Sequence, residues 1–353
     1  MGHATRCVPI INELINQNAE PVIAAYGKGY EFLKNEFKHL TIIKLPGFKL
    51  TYPRSKLLRL KIILWLPVLF FTIIRENFSL RKLIKNYNIN VVISDGRYGL
   101  YSHEIPSVFV THQVLIKLPG IIRFLEYPIY LMNRSIINKF TFRWFPDIEG
   151  EPNLSGDLCH KYNTENDTFI GPLNRFTPFA DTENRNHIDA LIIISGLEKQ
   201  RSVFEEIVFL EVKNCDKKIV VLQGIPGSER NFEINQNVKV YSHLDSRSIY
   251  KLIDQSDLVI CRSGYTTIME LSAIGKKAVL VPTPGQTEQE YLAAYYEKKM
   301  YTPFFTQDKF NLKEAFEKVG GYAGIPKIGN PDLLKHAVNQ LLDQVKRNLN
   351  KAS

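Results

Sequence analysis

Four short stretches of this chain place small, hydroxylated and polar residues directly after runs of β-branched residues. They are Ser195-Gly196, with Glu198, Gln200 and Arg201 opening the next segment; His243-Leu244; Arg262-Ser263-Gly264-Tyr265-Thr266-Thr267, with Glu270 a helical turn further on; and Thr283-Pro-Gly-Gln-Thr-Glu-Gln289. Small residues at such points let backbone N–H groups approach a phosphate at a helix N-terminus. Singly, each pattern also reads as ordinary helix capping. In open α/β sheets, however, ligands bind outside the carboxyl ends of the strands. Four such loops at one sheet edge therefore read as a nucleotide pocket.

The elements that must position these loops are legible as alternating strands and helices. Strands are predicted at Val91–Ser94, Ser107–Thr111, Ala190–Ile194, Lys218–Gln223, Val238–Tyr241, Leu258–Cys261 and Ala278–Val281, each followed by Gly, Ser or Asp and then a helical pattern. Short, wholly apolar strands alternating with helices indicate parallel sheets covered on both faces. The expected fold class is α/β: two doubly wound Rossmann-like domains facing a cleft. Pro, Gly, Asn and Asp cluster between Glu149 and Arg185, with Gly171-Pro172 as the hinge. The expected division is 1–168, 169–330, and a charged amphipathic C-terminal helix, 331–353, packing back across the first domain.

With 353 residues, 44% of them hydrophobic, the chain is long enough for two real cores and is neither disordered nor collagenous. The cysteines, Cys7, Cys159, Cys215 and Cys261, form no C-x-x-C, which argues against zinc and a disulfide framework. No signal peptide is visible in the N-terminal residues. Charge is uneven: residues 37–145 hold 17 Lys/Arg against four acids, a local excess of +13 in a chain of +9. The first domain is thus expected to face something anionic. The same window carries the apolar run Ile62–Ile74, too short to span a bilayer and interrupted by Pro67, which is expected to kink a helix. Arg54, Lys56, Arg59 and Lys61 precede the run; Arg75, Arg81, Lys82 and Lys85 follow it, and Ile121–Trp144 forms a second aromatic, basic stretch. Such a segment can lie among the headgroups of an anionic leaflet, or be a buried core helix with solvated ends. Nucleic acid is not an expected partner, since no recognised nucleic-acid module accompanies the basic residues.

The stretch VYSHLDSRSIYKLIDQSDLVICRSGYTTIMELSAIGKKAVLVPTPGQTEQEYLA, residues 240–293, resembles the donor-binding half of the MurG-type glycosyltransferases (family 28, GT-B fold). The shared pattern is the CRSG-x-x-T-x-x-E core with Q-x-x-Q after the next strand, and Gly2-His3 fits the end of the family's N-terminal Gly-rich loop. The resemblance implies that Glu270 accepts hydrogen bonds from both ribose hydroxyls of a uridine nucleotide and that Leu244 meets the uracil through its backbone. It implies further that Ser195, Gly196, Ser263, Gly264, Tyr265 and Thr266 cradle the diphosphate, with Arg262 near it; Arg201, opening the helix after Ser195-Gly196, is a further donor-site candidate. Gln286, Glu288 and Gln289 would reach the donor sugar. The family's longer Gly-Gly-Ser loop is reduced here to Ile-Ser195-Gly196-Leu. Since a Gly-rich loop of this kind needs a preceding strand and only Met1 precedes Gly2, the resemblance also implies a first strand missing from this sequence.

Inverting sugar transfer needs a base for the acceptor hydroxyl and donors that neutralise the leaving diphosphate. His3, in the Gly-His loop, Asp95 with Arg97 after the Val91 strand, and His112 with Gln113 after the Ser107 strand are the candidates, although a lone His is more often structural. No Asp-x-Asp occurs anywhere, so the resemblance implies a metal-independent mechanism without a cofactor. The reading that follows is a membrane-associated enzyme of cell-envelope synthesis, peripheral on the cytoplasmic face. It would move a sugar, with N-acetylglucosamine a candidate, from a UDP-sugar to a lipid-linked or anionic acceptor. GHATRC equally resembles the GH-x-x-RC loop of the pseudaminic-acid pathway hydrolases, in which His3 would activate water. A non-catalytic nucleotide-sugar-binding protein is the third reading.

Overall fold

The computed structural model describes residues 2–45, 58–162, 167–176, 187–196, 198–225 and 230–352. Arg54, Lys56 and Leu197 therefore lie outside the described residues. The chain divides into two compact units, one formed by Met1–Asn174 with Asn330–Ser353 and the other by Arg175–Gly329.

In chain order, the first unit contains α1 (Gly2–Asn16), β1 (Val22–Ala25), α2 (Gly27–Glu36), β2 (Thr41–Lys44), α3 (Leu58–Tyr87), β3 (Val92–Asp95), β4 (Ser107–Val110), α4 (Glu126–Ile137), β5 (Phe142–Phe145), α5 (Asp157–His160) and β6 (Asp167–Phe169). β3-β4-β5-β6 is a wholly parallel sheet, and β1-β2 is a separate parallel pair. β4, buried at all four positions, reads as an uninterrupted apolar run because both its faces are covered. α1 packs Ala4, Val8 and Ile11 against Ile23, Leu33 and Phe37, which fastens the helix to the β1-β2 pair. α3 runs from Leu58 to Tyr87 as one helix with Pro67 inside it. No helix among the described residues is long and apolar enough to cross a membrane.

The second unit contains β7 (Ile188–Ile193), α6 (Gln200–Val212), β8 (Ile219–Leu222), β9 (Asn231–Asn235), β10 (Val238–Tyr241), α7 (Ser246–Gln255), β11 (Ser256–Cys261), α8 (Tyr265–Ile274), β12 (Ala278–Leu280), α9 (Thr287–Lys298) and α10 (Leu312–Val319). Its sheet runs β12-β11-β7-β8-β10-β9, parallel throughout except for the antiparallel edge strand β9. Ala190, Ile192 and Ile194 meet Phe204, Val208 and Val212 of α6 and Leu312 and Ala315 of α10 in one core. Asp245 caps α7 by accepting from Ser248 N at 2.8 Å, and Asn311 caps α10 by accepting from Glu314 N at 2.9 Å. Gly275, left-handed at φ +76°, ends α8. The last helix, α11 (Pro331–Ala352), returns to the first unit, where Gln17 Nε2 donates to the Lys335 carbonyl at 3.3 Å.

Candidate active site

In the second unit, three of the predicted loops are neighbours because their strands are. β11 lies between β7 and β12, so Ser195-Gly196, Arg262–Gly264 and Thr283 emerge side by side at the carboxyl edge. The contacts bear this out. Ser263 Oγ donates to the Gln289 carbonyl at 2.7 Å, and Thr283 N donates to Gln289 Oε1 at 2.8 Å. A Cβ added to Gly196, which holds φ +118°, would stand 3.8 Å from Thr283 Oγ1. That hydroxyl is buried and has no hydrogen-bond partner among the described residues, the kind of polar atom a bound ligand or water would satisfy. Gly264 precedes the first turn of α8 without a side-chain cap, and Tyr265 and Thr266 open that helix. Gln286 stands in the same way before α9, with Glu288 and Gln289 in its first turn. Leu244, half-buried, lies just before the Asp245 cap of α7.

Glu270 is buried on α8, and its Oε1 lies 2.8 Å from Arg175 Nε. Burial pushes its carboxyl above the ordinary glutamate value, and Arg175 partly offsets the rise. Arg175 also donates to Ser246 Oγ at 3.3 Å and lies over the Phe176 ring. Sequence reasoning missed it; its signal was the first cation after Gly171-Pro172. Two predicted arginines serve the fold. Arg262 is 1% exposed, and its donors reach the Val281, Pro282 and Gln200 carbonyls and Gln307 Oε1 while its plane covers Phe204. Burial lowers its pKa to about 10. Arg201 is held by Glu198 at 3.0 Å and Glu205 at 2.5 Å.

In the first unit, the three predicted chemical residues come together around a fourth that the sequence reading passed over. His3 stands in the first turn of α1; it was expected in a loop, but the helix already begins at Gly2. Its Nδ1 is 3.0 Å from Asp95 Oδ2, at the end of β3. Gly96, at φ +69°, makes room: a Cβ there would meet His3 Cε1 at 3.2 Å. Arg6, 3% exposed, donates from Nε to both Asp95 oxygens at 3.0 and 2.9 Å, and its Nη2 also contacts Asp95 Oδ1. Its Nη1 reaches His112 Nδ1, beyond β4, at 2.7 Å. Burial opposes the charge on Asp95, but Arg6 and His3 outweigh it and hold the carboxyl well below the usual range. Cys7 contacts the same carboxylate, and burial pushes its thiol well up. Arg97 is tied to Glu76 of α3 at 2.8 Å.

The one His/Asp trio with metal-ligand spacing among the described residues is His187, Asp189 and Asp257, whose ligand atoms lie within 4.8 Å of one another. It sits at the amino ends of β7 and β11, the opposite edge from the loops above.

Residues 196–320 match the C-terminal domain of glycosyltransferase family 28, and residues 1–117 match glycosyl transferase family 1. An uncharacterized glycosyltransferase of Methanosarcina acetivorans is 25% identical over 325 residues, covering 85% of this chain and 80% of that protein. The UDP-N-acetylglucosamine--N-acetylmuramyl-(pentapeptide) pyrophosphoryl-undecaprenol N-acetylglucosamine transferase of Pasteurella multocida is 25% identical over 238 residues, 64% of this chain; the match spans 61% of that enzyme's length. Among solved structures, Acinetobacter baumannii MurG superposes with TM-score 0.54 at 14% identity, over 97% of this chain and 91% of that one. The spinosyn rhamnosyltransferase SpnG gives 0.62 at 14% identity, over 98% and 93%. The chain is a MurG-like glycosyltransferase. Its fold is that of the GT-B enzymes, two Rossmann-like α/β units. In this glycosyltransferase the family 28 match takes in Leu244, Arg262–Thr266, Glu270 and Gln286–Gln289, whereas Arg175 lies before it. The family 1 match takes in His3, Arg6, Asp95 and His112.

Proposed function

We propose that this glycosyltransferase moves a sugar from a UDP-sugar to a lipid-linked or anionic acceptor, with inversion and without a metal. The observation that carries the reading is Glu270: a buried carboxylate, tethered through one oxygen to Arg175, at the carboxyl edge of a parallel sheet. A carboxylate so held can accept from both hydroxyls of a ribose. The loops at Gly196, Gly264 and Thr283 would then take the diphosphate, with backbone N–H groups and the Thr283 hydroxyl as donors. Arg262 supports these loops from beneath. Gln286, Glu288 and Gln289 would face the sugar.

In the transfer, the acceptor oxygen forms a bond to the anomeric carbon while the bond to the diphosphate breaks, the electron pair leaving with UDP. His3 Nε2 would take the acceptor proton, with Asp95 behind Nδ1. The first unit would hold the acceptor, a reading supported by the basic excess of residues 37–145. Its α3 exposes Phe70, Phe71 and Phe78 at 62%, 70% and 63%, beside Arg75 and Lys82, a face suited to the headgroups of an anionic cytoplasmic leaflet. The Pasteurella relative's own acceptor is a pyrophosphoryl-undecaprenol, and its donor makes UDP-N-acetylglucosamine the sugar nucleotide to test first.

Calorimetric titration of the full chain with UDP and UDP-N-acetylglucosamine tests the reading. Micromolar binding of both, unchanged by a chelator, is the expected result. Binding of neither overturns it. Donor hydrolysis at full rate without any acceptor lipid would favour the hydrolase reading of His3.

A further inference from the structure

Arg6 has no part in the steps above, yet three candidate groups converge on it. A guanidinium donates hydrogen bonds and accepts none. His112 Nδ1, 2.7 Å from Arg6 Nη1 in a buried setting, must therefore be the bare, accepting nitrogen. That ring is then neutral, with its proton on Nε2. It is an N–H donor and not a second base.

His3 meets a different situation. Its Nδ1 lies 3.0 Å from an acceptor, Asp95 Oδ2, and 2.9 Å from a donor, Arg6 Nη2. One nitrogen cannot serve both. Protonated at Nδ1, the ring donates to Asp95 and leaves Nε2 bare, the form that can take a proton. Bare at Nδ1, it accepts from Arg6 and carries its proton on Nε2, where it can no longer act as a base. Which form prevails depends on how Asp95 is shared. Arg6 Nε and Nη2 already hold both carboxylate oxygens, so the second hydrogen of Nη2 is what competes for His3. Among the described residues, the charged and titratable groups in contact with Asp95 are His3, Arg6 and Cys7, all from α1; His112 faces Arg6 from beyond β4.

We propose that Arg6 is a positioning residue that gives the two histidines different roles: it fixes His112 as a neutral Nε2–H donor and, by dividing Asp95 with His3, selects the tautomer of His3. The part concerning His3 as a base rests on the function proposed above; the assignment of His112 does not.

The test is nitrogen NMR of the full chain labelled with ¹⁵N-histidine, at about pH 8, where an ordinary imidazole is neutral. H3Q and H112Q identify the two rings. In the native chain His112 is expected wholly as the Nε2–H form. In R6M the lock is gone, so His112 becomes a mixture of tautomers and His3 moves fully to Nδ1–H on Asp95. D95N, which can offer His3 a donor in place of an acceptor, shifts that ring toward Nε2–H, and R6K fails to restore the native pattern because one ammonium cannot span three partners. Protonation of His112 at Nδ1 in the native chain overturns the proposal, and this arm needs only the assignment variant H112Q, not R6M, to fold. So does an unchanged His112 tautomer in R6M that melts as a folded protein. Turnover of UDP-N-acetylglucosamine by H3Q is read separately: undiminished turnover removes His3 as the base and leaves the His112 result standing.

Discussion

Replacing Glu270 with glutamine keeps the shape of the side chain and one acceptor oxygen but removes the charge. If both ribose hydroxyls donate to this carboxylate, each bond is charge-assisted, and its loss costs about 1.5–3 kcal/mol in binding, or roughly 10- to 150-fold in the Kd for UDP. The free protein is affected as well. Arg175 loses its counter-charge although an amide oxygen can still accept from it, and breaking a buried ion pair by removing one charge costs about 3–5 kcal/mol of stability. The Arg175 side chain is 13% exposed and keeps Ser246 and the Phe176 ring, so the loss falls at the lower end of that range. A double-mutant cycle with R175M separates the two effects, since the stability cost should shrink in the double variant while the UDP defect of E270Q persists. Because burial raises the Glu270 carboxyl, UDP affinity should fall on acidification while the pH is still above the ordinary glutamate value of about 4.3, and E270Q should flatten that dependence. Calorimetry with UDP at a series of pH values, beside thermal melts, reads all of this. A folded E270Q with native UDP affinity would refute the ribose assignment.

The Asp95 carboxyl is lower in the folded chain than in the unfolded one, so the stability it contributes is present above about pH 4 and drains away as the pH falls through the folded value. Urea unfolding as a function of pH should show a steep acid limb that D95N diminishes; an identical limb in D95N would remove Arg6–Asp95 as its source. R262M strands the Val281, Pro282 and Gln200 carbonyls that the guanidinium now serves and should cost about 3–5 kcal/mol, yet leave UDP affinity of the folded fraction within a few-fold. Lost UDP binding at native stability would instead put Arg262 on the phosphate. R75E/K82E should abolish binding to vesicles of anionic lipid at low salt, and native binding should itself weaken as salt rises. Salt-independent binding to neutral vesicles would reduce the α3 face to an apolar contact.

The sheets could be read because most of their strands are buried on both faces: runs such as Ile219–Leu222 inside the sheet and Ala278–Leu280 at its edge admit little but aliphatic residues. The loops after them followed from topology alone. β9 was not legible, since Asn231–Asn235 lies at an exposed edge and owes its extended form to pairing with β10. β5 was obscured by Arg143, which points to Asp167 inside the first unit. The site residues divided the same way. Asp95 and His112 stand at strand ends, where local pattern finds them. Arg6 sits within an ordinary helical segment, and only the approach of α1 to the ends of β3 and β4 gives it three partners. Arg175 was hidden for the same reason, its carboxylate partner being far along the chain.

The return of α11 to the first unit has a consequence for how the polypeptide comes to be built. Residues 175–329 form an insertion within the first unit, which resumes at residue 330. On a ribosome, the inserted unit leaves the exit tunnel whole and can fold as a contiguous segment while the earlier unit still waits for its closing helix. The unit that carries Arg6 and Asp95 is thus begun before the inserted unit and completed after it.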